Sequence, residues 1–201
     1  MTDTERLLRF IQERGQVRRK DVSDAGLNPD LLYRLLERGE IERVGRGLYR
    51  TPRAIVSQHE SLAEVAQLVP LAVISLLSAL SFHGLGSQMP GAVWIALDRS
   101  RTRSRPRVRH LPIEVVWFSG PAFTEGQEVH DVDGISVRVY SPAKTVADLF
   151  KYRGKVGLDV AVEALREGLA DRRFTPAEVE AFARVCRVSA VMKPFLQAMT
   201  G

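Results

Sequence analysis

Residues 41–50 constrain the fold more than any other stretch of the chain. Ile41-Glu42-Arg43-Val44 and Leu48-Tyr49-Arg50 mix apolar and charged side chains at short period and meet at Gly45-Arg46-Gly47. Two such runs joined through glycines predict a tight hairpin with a basic tip. The residues before it carry the other period. Thr4 can cap a helix with Leu7, Leu8, Phe10 and Ile11 on one face and Gly15 at its end. A short helix from Arg18 to Gly26 follows, with Val22 and Ala25 inward. Leu27-Asn28-Pro29 then reads as a turn, because Asn28 suits an N-cap and Pro29 the first helical position. A third helix runs to Arg38, with Leu31, Leu32, Leu35 and Leu36 buried and Asp30, Tyr33, Arg34, Glu37 and Arg38 outward.

Three short helices and a ribbon, in that order, spell a winged helix-turn-helix. In that fold the third helix enters the major groove and the ribbon tip reaches the flanking backbone or minor groove. The candidate DNA contacts are Arg18, Arg19, Lys20, Asn28, Tyr33, Arg34, Arg38 and Arg46. The competing reading is a winged helix used for protein contacts, toward which Asp30 and Glu37 lean. Nucleic acid is favoured because Arg18, Arg19, Lys20, Arg34 and Arg46 all lie where DNA phosphates would be; charge totals alone also fit a chain simply rich in Arg. Of 29 basic residues 24 are Arg, and they concentrate in residues 1–53 (net +3) and 98–110 (net +5), while 54–97 and 111–201 are slightly acidic. Arg binds phosphate and base edges with a planar fork that Lys lacks.

Thr51-Pro52-Arg53 interrupts the ribbon and predicts a division into residues 1–53 and 55–201. Beyond it, Ser57–Val69 and Ser75–Phe82 have helical period. Val93–Leu97, Ile113–Phe118 and the pair Glu128–Val132 and Ile135–Tyr140 around Asp133-Gly134 read as strands. Ser141-Pro142 starts a helix with Val146, Ala147, Leu149 and Phe150 inward and Lys144, Lys151 and Arg153 outward. Helices at Leu158–Leu169, Thr175–Cys186 and Ala190–Met199 complete the chain. The expected class is α+β: a winged helix, then a larger domain with grouped strands and a helical C-terminal part.

Between the first two strands of that domain stand Arg99, Arg101, Arg103, Arg105, Arg107 and Arg109, one at every second position. Fully extended, they would project to one side and could track a phosphate backbone or a partner. A solvated loop is the alternative.

Several chemistries find no support. Four scattered histidines and one cysteine offer no metal spacing and no intramolecular disulfide, so neither a metal nor any other cofactor is expected. Glu114 is followed by Val115 and Val116 where a metal-dependent nuclease wants Glu-x-Lys. No phosphate loop, nucleophile elbow or dinucleotide fingerprint occurs. His83 reads as a helix C-cap more readily than as a base lacking a partner. Cys186 reads as a small core residue in an apolar setting and not a nucleophile. The longest apolar stretch, Leu68–Leu80, is too short to span a bilayer, and the N-terminus lacks a signal-peptide pattern. These points predict a cytoplasmic, non-enzymatic protein that makes no membrane contact.

Gly45-Arg46-Gly47-Leu48-Tyr49-Arg50-Thr51-Pro52, Ser78-Ala79-Leu80-Ser81-Phe82-His83-Gly84-Leu85 and Ser141-Pro142-Ala143-Lys144-Thr145-Val146-Ala147-Asp148 together resemble the AbiEi family of bacterial antitoxins. The resemblance implies an N-terminal winged helix that represses its own operon. It also implies a C-terminal domain that counteracts a partner nucleotidyltransferase toxin. The partners it implies are operator DNA, expected as an inverted repeat, and that toxin. The arginine row matches no feature of the family. A plain regulator whose second domain senses a ligand or mediates oligomerisation stays open as the alternative.

Overall fold

A computed structural model describes residues 2–52, 59–102, 104–108 and 111–200. It is α+β with two sheets, and the chain groups into two compact units, Met1–Pro70 with His130–Val137 and Leu71–Val129 with Arg138–Gly201. The expected boundary near residue 55 lies outside the described residues.

In the first unit α1 (Asp3–Arg14) is capped by Thr2, not Thr4. The Thr2 hydroxyl accepts the Glu5 backbone N–H and Glu5 returns the bond to the Thr2 N–H. The capping box requires Glu three residues after the cap, a spacing that Thr2 has and Thr4 lacks. Gln16–Arg18 forms strand β1, where periodicity leaves only a connector. Three residues are too few to show alternation; pairing with residues 48–50 makes them a strand. Two short helices joined by a turn, α2 (Arg19–Asp24) and α3 (Leu31–Glu37), follow in an arrangement consistent with a helix-turn-helix, then β2 (Glu42–Gly45) and β3 (Leu48–Arg50). The sheet runs β1-β3-β2, all antiparallel. Leu7, Ile11, Val17, Val22, Leu32 and Leu35 are fully buried beneath it. Each such side chain contributes roughly 1.5–3 kcal/mol of burial. Helix α4 (Glu60–Leu68) also belongs to this unit; residues 57 and 58 of the expected Ser57–Val69 lie outside the described residues.

The second unit centres on a mixed sheet, β6-β5-β4-β8-β7. Its strands are β4 (Val73–Ile74), β5 (Val93–Asp98), β6 (Ile113–Phe118), β7 (Gln127–Val132) and β8 (Ile135–Tyr140). The two-residue β4 is invisible to periodicity, yet it pairs antiparallel with β5 and parallel with β8. Asp133 and Gly134 join β7 and β8 with both φ positive, 54° and 76°, the geometry that hairpin twist selects. The tip of that hairpin, His130–Val137, groups with the first unit. Short α5 (Leu76–Phe82) and α6 (Pro121–Thr124) accompany the sheet. Helices α7 (Pro142–Lys151), α8 (Arg153–Val156), α9 (Leu158–Ala170), α10 (Pro176–Cys186) and α11 (Ser189–Thr200) form the helical part.

Helix α7 departs from the amphipathic expectation. Every residue from Ala143 to Phe150 is buried, because α5, α9, α10 and α11 all pack on it. Lys144, expected outward, is fully buried. Its Nζ donates to Asp148 Oδ2 at 2.5 Å and lies 4.0 Å from the Tyr140 ring centroid. Cys186 is in the core as expected, but its setting is polar: Sγ donates to Asp148 Oδ1 at 3.1 Å. Burial and the Asp148 charge push the thiol up to about 12, the opposite of an activated nucleophile. His83 does occupy the C-cap of α5, and its Nε2–H donates to the Tyr140 carbonyl at 2.7 Å.

Candidate nucleic-acid interface

The outward face of α2 and α3 is built from residues that the core leaves over. In α3 the buried Leu31, Leu32 and Leu35 force Tyr33, Arg34, Glu37 and Arg38 into solvent, Tyr33 with 55% of its surface exposed. The first turn of α3 is held by Asn28, whose side-chain oxygen accepts the Asp30 backbone N–H at 3.0 Å. Asp30, rather than Asn28, occupies the cap position before Leu31. This local turn mimicry is what Asn offers at a helix entrance.

Asp30 is paired with a cation. Arg19 Nη2 donates to its Oδ1 at 2.6 Å, and the same guanidinium lies 5.6 Å from the Tyr33 ring centroid. The hydrogen bond raises the Arg19 pKa further above its ordinary value. Arg19 therefore bridges the two helices and keeps its remaining N–H donors on the exposed face. Arg38 lies 3.8 Å from Glu40, a loose surface pair. Lys20, Arg34 and Arg46 are exposed and have no ion-pair partner among the described residues. Arg46 sits in the two-residue turn of the wing, where Gly47 takes φ +70°. Arg18 is placed differently. It is half-buried at the start of α2, and its Nη2 is shut off from solvent.

Sequence reasoning passes over Arg43. It is exposed on β2, and its Nε donates to the Gly45 carbonyl at 3.0 Å, beside Arg46 at the wing tip. Its side of the strand was the available signal. Arg50, by contrast, is absorbed in the fold by Glu42 at 2.5 Å and by Glu60.

The second basic zone lies in the crossover between the parallel strands β5 and β6. Arg103 and Arg109 are outside the described residues. The backbone after β5 turns instead of extending: the Arg101 and Thr102 N–H groups donate to the Asp98 carbonyl at 3.2 and 2.9 Å. Hydrogen bonds from Ser100 hold the Asp98 carboxyl below its ordinary range. Arg105 folds back onto β6, donating to Glu114 at 2.9 Å and to the Ile113 carbonyl at 3.0 Å. Arg99, Arg101 and Arg107 are exposed. No group of three or more metal-ligating side chains occurs among the described residues. Nor is any described helix long and apolar enough to cross a membrane.

Residues 5–52 match the family described as transcriptional regulator, AbiEi antitoxin. The family resemblance read from the sequence holds over that segment, and the match supports a DNA-binding regulatory role. Among solved structures, the RV2827C protein from Mycobacterium tuberculosis is similar, with a TM-score of 0.60 and 17% identity over 99% of this chain and 80% of that one. At that identity the likeness is one of fold. No curated protein matches the sequence.

Proposed function

With residues 5–52 matching the AbiEi regulators, we propose that this protein is an antitoxin that represses its own operon through the winged helix and counteracts a nucleotidyltransferase toxin through residues from about 55 onward. One observation carries the DNA half of the reading. Lys20, Arg34 and Arg46 stand exposed, with no ion partner among the described residues, on the elements that a winged helix presents to duplex DNA, while Asp30 on that face is tied to Arg19. Phosphates would meet Lys20, Arg46 and the free donors of Arg19; base edges would meet Asn28, Tyr33, Arg34 and Arg38. Arg18 supports this face from behind, at the start of α2. The toxin half is supported by the description of the matched family. Arg99, Arg101, Arg105 and Arg107 are the exposed cations of the second unit that could serve a second nucleic-acid or partner contact.

Expressing the full chain from an unrelated promoter beside the toxin separates the two roles. Wild type should both protect growth and silence a reporter fused to its own upstream region. The triple variant Lys20→Ala, Arg34→Ala, Arg46→Ala should protect growth and fail to silence. Silencing by the variant would remove these residues from the interface, and absence of protection by soluble wild type would remove the antitoxin role.

A further inference from the structure

Asp30 is an acid on a face otherwise rich in cations. Its side chain is 73% exposed; Arg19 opens α2 beside it with Lys20 following, and Tyr33, Arg34 and Glu37 lie on the outward side of α3. Two ordinary roles do not account for it. An Asp in the position before a helix usually accepts a backbone N–H of the first turn. Here the carboxylate accepts none. Its pair with Arg19 is exposed at both ends and adds little to stability.

The carboxylate is nevertheless fixed in place. The Asp30 backbone N–H donates to the Asn28 side-chain oxygen at 3.0 Å, and Arg19 Nη2 donates to Oδ1 at 2.6 Å. The Arg19 guanidinium in turn lies 5.6 Å from the Tyr33 ring centroid, so the pair is braced against α3. Oδ2 accepts no hydrogen bond among the described residues. Against DNA a lone carboxylate is repelled by phosphates within a screening length of about 8 Å at physiological salt. Arg19 offsets that charge at contact distance, and what is left is an oriented, accessible acceptor.

The major groove offers such an acceptor one good match. Guanine shows the acceptors N7 and O6, adenine sets N7 beside its N6 amino group, and thymine shows O4. Cytosine alone shows an amino donor with no acceptor beside it on the same base. We propose that Asp30 determines specificity: one cytosine of the DNA site donates its N4–H to the Asp30 carboxylate at Oδ2. Arg19 is the positioning residue, holding Oδ1 while its remaining donors reach phosphate. This assignment rests on the reading of the first unit as DNA-binding.

The test passes the full chain over a pool of random duplexes, in parallel with Asp30→Ala and Asp30→Asn, and aligns the sequences retained. Wild type should fix cytosine at a position that Asp30→Ala leaves free, with the other positions unchanged. Asp30→Asn keeps the shape and exchanges one acceptor for a donor, so it should turn that preference toward adenine, whose N6 and N7 suit an amide. A second measurement uses wild type alone. Each cytosine of a retained duplex is replaced in turn by 2-pyrimidinone, which lacks the amino group. At one position the loss should weaken binding by about fivefold or more, and Asp30→Ala should there change by no more than about twofold. A wild-type pool with no fixed cytosine, the same motif in all three proteins, or indifference to the loss of every N4 amino group overturns the proposal and leaves DNA binding standing. Retention of no duplex by folded wild type defeats the DNA-binding reading, and this assignment with it.

Discussion

Arg19 and Asp30, eleven positions apart, close a 2.6 Å ion pair across the turn between α2 and α3. Both ends are exposed, so the pair adds little to stability. Its consequence is electrostatic. Without Arg19, the Asp30 carboxylate would face incoming phosphate unmatched. Arg19→Ala is therefore predicted to weaken DNA binding by more than the removal of one phosphate interaction would, by about tenfold or more at low salt. Adding Asp30→Ala should restore part of the affinity. A double-mutant cycle read by duplex titration checks this, and additive effects would contradict it.

Tyr33 and Arg34 lie on the outward face of α3, away from its leucine stripe. Replacing either by Ala should narrow the gap between operator and random duplex, since a good base contact discriminates by about 1–3 kcal/mol. Competition binding against random duplex measures that gap. Equal losses on both DNAs would reassign these residues to the backbone.

The buried ion pair of α7 predicts an asymmetric stability pattern. Lys144→Met alone leaves the Asp148 carboxylate buried without its cation, and breaking such a pair costs about 3–5 kcal/mol. Lys144→Met with Asp148→Leu removes both charges and should recover most of that stability. Denaturant unfolding of the two variants decides it. A double variant less stable than the single one would contradict the account.

Much of this architecture is legible before any coordinates. The wing follows from Gly45-Arg46-Gly47, and the β7–β8 hairpin from Asp133-Gly134. The capping box of α10 follows from Thr175 and Glu178, because each is a local signal with a local cause. What escapes sequence reasoning is set from a distance. β1 and β4 exist only through their partners, and Lys144 is buried because four helices converge on α7. Those partners lie far along the chain: Ile74 of β4 meets Val139 of β8. Among the candidate DNA-facing residues, charge and helix face place Lys20, Arg34 and Arg46 in solvent. The same rules cannot foresee that Arg18 turns inward or that Arg19 is held by Asp30.

Cys186 supplies a pH-dependent test. Its native thiol is pushed up to about 12 from an ordinary 9.0. The folded state therefore holds this proton after the unfolded state has released it. The thiol's contribution is full below the unfolded value and is lost as pH rises from there toward about 12, at up to about 1.4 kcal/mol per unit. Relative to Cys186→Ala, the wild-type protein should lose stability between about pH 9 and 11. Parallel stability profiles would contradict the buried, Asp148-bonded thiol. Alkylation at pH 8 should likewise require unfolding.

The central claim is that the exposed cations of the first unit grip duplex DNA. Its most direct measurement is the salt dependence of affinity between the full chain and its own upstream duplex, compared with the Lys20→Ala, Arg34→Ala, Arg46→Ala variant. Lys20 and Arg46 are assigned to phosphates, and each phosphate no longer neutralised lowers the log–log slope by about 0.9. The account predicts a slope shallower by about 1.8 or more, with affinity reduced at every salt concentration. A folded variant with the wild-type slope and affinity would contradict it.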